Sequence, residues 1–371
     1  MNYEIDMLDV KAADAFLVHY IDDSNHSHIV MIDSGNYNDA DKIIAHIRAY
    51  YAPVKTIYGN KYIIETSIVT HPDDDHIGGF IKMLEYKRNG KLDDFEFQKF
   101  WVNDPTKHGI KPEQIKSLRK QETVDERLRS VYNYNEDTSK NLLNLLDELK
   151  ITRREKFAAK FGPLPKGIFE PTSVLHEILK PVPKVYPSFT VIGPTEDYYV
   201  SLLPNFRNEL KSHEGEEEEE MKYYSIFDRV SDNSLSSALD DAKDDPSAHN
   251  QSSMIVLFEP KEGVKYLFMG DAGVDAFNNI PLHLKNQIRK VNWLKVPHHG
   301  SKHNLNTDVI RWLNPKIAYI STEKRGKYLS QCVVNALKKH RASVYSTSQN
   351  RSNIVNNSIT IRDGWGTIEK I

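Results

Sequence analysis

Thr70-His71-Pro72-Asp73-Asp74-Asp75-His76-Ile77-Gly78-Gly79 is the stretch on which the reading of this 371-residue chain turns. Two imidazoles and three carboxylates occupy positions 71–76, directly behind the β-branched run from Tyr62 to Val69, which reads as a strand. Polar groups this dense are costly to fold into one turn, and a multivalent cation is the natural reason to gather them. His71, Asp73 and Asp75 alternate along a chain leaving a strand and His76 follows directly, so four side chains can converge. The competing reading is a helix N-cap with incidental charges. Cys332 is the one cysteine, which excludes an internal disulfide framework and a thiolate-rich zinc site. Metal chemistry here must run on His and carboxylate, ligands suited to Zn, Mn or Fe.

Working outward, the same pattern recurs: an apolar strand, a sharp turn, then a polar group. Tyr3 to Val10 and Ala15 to Tyr20 read as strands, and His28 to Ile32 is a third that runs into Asp33-Ser34-Gly35. Ile43, Ile44 and Ile47 give helical spacing to residues 38–51. Met254 to Phe258 and Tyr266 to Met269 read as a hairpin ending at Gly270-Asp271-Ala272. Val291 to Val296 is a strand ending at Pro297-His298-His299-Gly300-Ser301. Further strands are expected at Ile317 to Ser321, Val344 to Tyr345 and Ile359 to Ile361, with a helix over 330–340.

Two spans interrupt this order. Residues 82–183 are charged and helix-prone, with Leu142, Leu143, Leu145, Leu146 and Leu149 in one apolar stripe, and read as a mainly helical insertion that shapes or covers the site. Residues 205–248, with Glu216 to Glu220 and the pairs Asp240-Asp241 and Asp244-Asp245, read as an acidic, mobile loop. The whole chain, 1–371, is taken as one elaborated catalytic domain.

A net charge of -3 gives no global electrostatic argument for nucleic acid or an anionic membrane. The N-terminus lacks the basic start and apolar core of a secretion signal, and no apolar stretch approaches the ~20 residues that span a bilayer. A cytoplasmic protein without a membrane partner is expected.

Taken in order, Leu8-Asp9-Val10-Lys11-Ala12-Ala13-Asp14-Ala15, Ile32-Asp33-Ser34-Gly35, the His71 to Gly79 cluster, Asn250-Gln251-Ser252-Ser253, Gly270-Asp271-Ala272 and Leu294 to Ser301 resemble the metallo-β-lactamase fold. Within it they resemble the hydrolase domain of the DNA-uptake channel protein ComEC and its soluble relatives. The resemblance implies an α/β αββα sandwich that leaves both interrupting spans uncovered, and two divalent metal ions, Zn or Mn. His71 and Asp73 would bind one metal; Asp75, His76 and one of the two later histidines the other; Asp271 would bridge them. His299 is favoured over His298, because the wider fold commonly ends this strand in Pro-X-His. His298 would then face substrate, and with Asp75 it is a catalytic candidate. Asp33 resembles the carboxylate that orients the metal-binding loop from behind.

The chain also departs from the pattern. Where the wider fold offers a third His to the first metal, His249-Asn250 stands, and Asn250 aligns better with the subgroup's Asn, leaving His249 a secondary candidate. Lys11-Ala12-Ala13 replaces Gly-Gln-Gly, and the Tyr-Gly-His-Pro downstream is replaced around Arg325-Gly326-Lys327-Tyr328. Asp74, mid-cluster, is a conceivable general base in a position that usually faces away.

The reaction implied is hydrolysis by a dinuclear site, on phosphodiesters and so as a nuclease or phosphodiesterase on DNA or RNA. Lys295, Lys302, His303, Lys324, Arg325 and Lys327 offer local basic groups near the expected rim, while the acidic loop would repel phosphate. Two alternatives stand beside this: hydrolysis of a small phosphoester or lactam-like ring, and a metal-stabilised interaction protein without turnover that binds a partner protein through the helical insertion. The sequence does not separate zinc from manganese and gives no oligomeric state.

Overall fold

The computed structural model describes residues 2–22, 24, 26–51, 60–108, 142–159, 185–205, 239–322, 328–347 and 353–357. The expected strand at 359–361, most of the acidic span and the groups Lys324, Arg325 and Lys327 lie outside them.

The first half begins with strands β1 (Asn2–Met7), β2 (Ala15–Ile21) and β3 (Ser27–Ser34), paired antiparallel. Helix α1 (Ala40–Tyr50) crosses over to β4 (Tyr62–Ile68), which runs parallel to β3. Helix α2 (Asp74–Arg88) follows, then the short strands β5 (Phe95–Phe97) and β6 (Lys99–Trp101), helix α3 (Leu142–Glu148) and β7 (Thr152–Arg154). The second half contributes β8 (Ser188–Gly193), helix α4 (Glu196–Leu202), helix α5 (Ala248–Gln251), the antiparallel hairpin β9 (Ile255–Glu259) and β10 (Tyr266–Phe268), and then β11 (Trp293–Lys295). Strands β12 (Ile317–Ile320) and β13 (Ser343–Ser346) close the second sheet, each joined to β11 or to its neighbour by parallel pairing. A last strand, β14 (Asn353–Asn357), returns to pair with β1. The orders are β14-β1-β2-β3-β4-β6-β7, with β5 also on β4, and β13-β12-β11-β10-β9-β8.

Period-two alternation explains the layering. Phe16 and Val18 on β2, Val30 and Ile32 on β3, Val256 and Phe258 on β9, and Phe268 and Trp293 meet between the two sheets. The intervening residues Leu17, Ile29 and Met31 turn to the other face, where Ile43, Ile47, Phe80 and the Leu142-Leu143-Leu145-Leu146 stripe cover them. Leu257, Leu267 and Leu294 are covered likewise on the second sheet by Val309, Ile310, Val333 and Leu337. The result is two mixed sheets face to face with helices on both outer faces.

The described part of the 82–183 span is woven into this sandwich: residues 82–88 complete α2, and β5, β6 and β7 widen the first sheet by parallel pairing. Three-residue strands such as Phe95-Glu96-Phe97 are too short to stand out from a charged background. At the other span, Leu239 and Asp245 are buried, so the end of the acidic segment packs into the body rather than acting as a solvated tether.

Candidate metal centre

The site lies where strand carboxyl ends converge, the usual crevice of sheets with parallel connections. The two sheets are stitched there by Met254 N donating to Thr70 O at 2.8 Å, and His298 N donates to Gly270 O at 3.3 Å. Behind β4 the chain turns at Asp73, the residue that precedes α2, with Asp74 and Asp75 in the first helical turn where the helix dipole favours negative charge. Asp73 holds the N-cap position, yet its side chain makes no capping bond; Asp73 Oδ1 instead lies 3.0 Å from His249 Nδ1. The incidental N-cap reading therefore does not describe this turn.

Asp75, His76, Asp271 and His299 each offer a ligand atom, all within 4.8 Å of one another, a grouping that could hold a metal ion. His76 Nε2 is 3.5 Å from Asp271 Oδ1, and His299 Nε2 is 3.3 Å from Asp75 Oδ2. On the other side of Asp271, His71 Nε2 is 3.9 Å from Oδ2 and 3.7 Å from Asp73 Oδ2. The His71 and His76 rings lie 4.0 Å apart by centroid. Asp74 is exposed.

Contacts behind the ligand atoms set their direction. His76 Nδ1 donates to Asp33 Oδ2 at 2.8 Å, and the same carboxylate accepts from Thr70 N at 2.8 Å and Thr70 Oγ1 at 2.7 Å. Thr70 Oγ1 also lies 3.2 Å from His71 Nδ1, as acceptor. His299 Nδ1 donates to Ser321 O at 2.9 Å. With the rear nitrogens so engaged, the forward Nε2 atoms are left as lone-pair donors, as metal sites require. The buried His71 Nε2, His76 Nε2 and Asp271 Oδ1 have no hydrogen-bond partner. Buried imidazole nitrogens and carboxylate oxygens left bare and aimed at one another fit a divalent cation.

Several backbone features are held off the common regions to achieve this. Asp33, His298 and His299 have φ of 55°, 44° and 53°, the left-handed region that costs a non-glycine residue free energy and clusters at functional sites. Gly78 and Gly79 let α2 approach the end of β3: a methyl group at Gly79 would meet Ser34 O at 2.0 Å.

Electrostatics follow the same geometry. Burial opposes charge on Asp73, but hydrogen bonds from His249 and His71 hold it well below the usual carboxylate range. Burial is likewise overcome at Asp271, kept ionised by His76, His298 and Lys295. Burial would depress His76, yet the charges of Asp271, Asp75 and Asp33 drive it well above the usual histidine value. A field that favours a proton on this imidazole also favours a cation, and the two compete.

Three placements correct or extend the sequence reading. Lys295, counted among basic groups at the rim, is fully buried: it shares the inter-sheet face with Trp293, pairs with Asp14 and donates to Gly270 O at 2.9 Å. Strand alternation put it inside, and it is withdrawn from any substrate contact. His249, the secondary ligand candidate, is buried with its Nδ1 3.0 Å from Asp73 Oδ1. Asp245, hidden in the acidic span, is a site residue: its Oδ2 accepts from Asn250 Nδ2 and Asn304 Nδ2, both at 2.8 Å, and meets His298 Nδ1 at 3.2 Å. Its sequence signal was the Asp-Pro-Ser turn before α5, where Ser247 N donates to Asp245 Oδ1 at 2.9 Å. Burial would lower His298, but Asp271 and Asp245 push it up to about 9. Tyr328 lies over that ring at 4.6 Å.

Fold and site together define a mixed α/β protein with His/Asp groupings that could hold a metal ion. Over 111 residues the chain is 33% identical to ComE operon protein 3 of Bacillus subtilis (strain 168), a stretch amounting to 29% of this chain and 14% of that protein. The match thus reaches a small part of that relative's length. No protein-family model matches the chain. Among the described residues no helix is long and apolar enough to cross a membrane.

Proposed function

We propose that the chain is a metal-dependent hydrolase of the metallo-β-lactamase fold, related to the ComEC-type subgroup, and that it cleaves phosphodiesters. The observation that carries this reading is the convergence of His71, Asp73, Asp75, His76, Asp271 and His299 from separate strand ends, with bare buried nitrogens facing shared carboxylates. The layering of helices around two sheets agrees with the fold, and the local likeness to ComE operon protein 3 agrees with the subgroup.

In this reading His71 and Asp73 would hold a first cation, Asp75, His76 and His299 a second, and Asp271 would contribute to both. Two divalent cations, Zn or Mn, would supply a water nucleophile at neutral pH and draw charge from a phosphoryl oxygen. The chain's own part is positioning: Asp33 and Thr70 hold the rings of His71 and His76, Ser321 holds His299, and Lys295 balances Asp14 beside Asp271. His298 sits at the partly exposed edge of the group, with its Nε2 3.9 Å from Asp271 Oδ2. DNA or RNA is the substrate class proposed, on the strength of the subgroup resemblance.

The test uses purified protein with manganese or zinc on bis-p-nitrophenyl phosphate, beside the Asp75→Ala, His76→Ala double variant. Turnover that the double variant abolishes is expected; turnover that survives it would sink the dinuclear assignment. Plasmid and single-stranded DNA follow, across a salt series, since a polyanion substrate brings steep salt dependence. Cleavage of the small ester without cleavage of DNA or RNA would move the substrate to a small phosphoester, and no turnover on either would favour a binding protein.

A further inference from the structure

We propose that His298 is a nitrogen donor to the first cation position, alongside His71, Asp73 and Asp271, and that Asp245 is the positioning residue that aims it; this rests on the dinuclear reading above. Where the wider fold supplies a third histidine to that position, this chain carries His249-Asn250, and the resemblance makes His298, after the strand's proline, a spacer. The geometry here fills the gap from an unexpected place.

Direction comes first. His298 Nε2 lies 3.9 Å from Asp271 Oδ2, the same oxygen that lies 3.9 Å from His71 Nε2. At the rear of the ring, Nδ1 meets Asn304 Oδ1 at 3.0 Å and Asp245 Oδ2 at 3.2 Å. This is the build of His76, with Asp33 behind and Asp271 in front, and of His299, with the Ser321 carbonyl behind and Asp75 in front. An imidazole backed by a carboxylate and facing a shared carboxylate oxygen is the arrangement that metal-ligating histidines adopt.

The backbone supports the same conclusion. Consecutive residues in extended chain send their side chains to opposite faces, whereas His298 and His299 both take left-handed φ, 44° and 53°. Two successive non-glycine residues in that region cost free energy that the surroundings must offset. The return is that both rings reach Asp271 and Asp75 from one turn.

His249 Nδ1 faces Asp73 Oδ1 at 3.0 Å, a contact that orients a ligand carboxylate. His71, Asp73 and Asp271 supply three donors, and His298 completes the four of a tetrahedral set. Among the described residues no group as tight as the second position forms around His71, so the first position takes the weaker cation.

The experiment is calorimetric titration of manganese, and separately zinc, into chelator-treated protein, with folding checked by circular dichroism. Unaltered protein is expected to show two binding steps. His298→Ala should weaken the weaker step at least roughly tenfold and leave the tighter step as it was, with Asp245→Asn weakening the same step by less. His298→Gln, which keeps bulk and a hydrogen-bonding atom, replaces alanine should that variant unfold. Two unchanged steps in a folded His298 variant, or loss of the tighter step instead, would overturn the proposal while leaving the dinuclear reading intact. No binding by the unaltered protein would overturn both.

Discussion

The ammonium of Lys295 is ion-paired with the carboxylate of Asp14, and 3.5 Å away on its other side stands Asp271 Oδ1. All three side chains are buried. Asp14 in turn lies 3.9 Å from both His76 Nδ1 and His299 Nδ1, so the pair forms a charged floor beneath the second cation position. A buried pair of this kind adds little net stability, but removing one partner strands the other. Lys295→Met is therefore expected to cost about 3–5 kcal/mol, and Lys295→Met with Asp14→Asn markedly less, because the second change removes the stranded charge. Urea unfolding with chelator present measures both. Equal losses in the single and double variants would show that the two groups are not coupled.

Asp33 acts on the site without reaching a cation. It accepts from His76 Nδ1, Thr70 N and Thr70 Oγ1 at once, which holds the ring tautomer and the turn that carries His71. Asp33→Asn removes the charge and offers an amide that competes with the His76 N–H. Metal affinity is expected to drop roughly 10–100-fold, with little change in the unfolding midpoint of chelator-treated protein. Competition against a coloured chelator reads the affinity; an unchanged value would mean that His76 holds its orientation by packing alone.

Much of this was legible in the chain because strand periodicity and turn chemistry act locally. The run from Tyr62 to Val69, the Asp33 turn and the polar groups at 271, 298 and 299 announced themselves by an apolar stretch ending abruptly in charge, and the structure gathers them as that pattern implied. What escaped depended on contacts distant in sequence. Lys295 looks like a solvated charge until the alternation Trp293-Leu294-Lys295 is set between two sheets, when Asp14, from the opposite end of the chain, becomes its partner. Asp245 was lost among other acidic residues because its role is conferred by Asn250, His298 and Asn304. The sheet edge at β5 to β7 was missed for a different reason: three-residue strands carry too few positions for a period to show.

Gly78 and Gly79 allow the first turn of α2 to touch the end of β3, and the helix thereby delivers Asp75 and His76. A methyl group would meet the Tyr37 amide nitrogen at 2.3 Å from Gly78 and Ser34 O at 2.0 Å from Gly79. Both obstacles are backbone, so relief requires moving the helix. Gly79→Ala is expected to cost about 1–3 kcal/mol or more and to weaken metal uptake together with stability. Thermal unfolding and metal content test it; an unshifted melting temperature would mean that the helix start is free to retreat.

A second charged group, at the start of β3 and so at the opposite end of that strand from Asp33, predicts a pH dependence of stability. His28 Nδ1 meets Glu65 Oε2 at 2.7 Å and His28 Nε2 meets Asp22 Oδ2 at 3.2 Å, while Tyr20 stacks on the ring at 4.6 Å. The hydrogen bond to Glu65 outweighs burial and raises His28 above its ordinary 6.5, and the reciprocal bond lowers Glu65 below its ordinary 4.5. A raised histidine contributes stability that is complete below its unfolded value and fades as pH climbs through the folded one. A depressed carboxylate contributes above its unfolded value and fades as pH falls through the folded one. The pair is thus most stabilising between the two ordinary values, 4.5 and 6.5, and weakens on either side. His28→Phe, which keeps the stack on Tyr20, should be less stable than the unaltered protein in that window and approach it in alkaline solution. Urea unfolding of both proteins at steps from about pH 5 to about pH 9 measures the gap, and a gap that stays constant or widens with pH would show that His28 carries no charge in the folded protein.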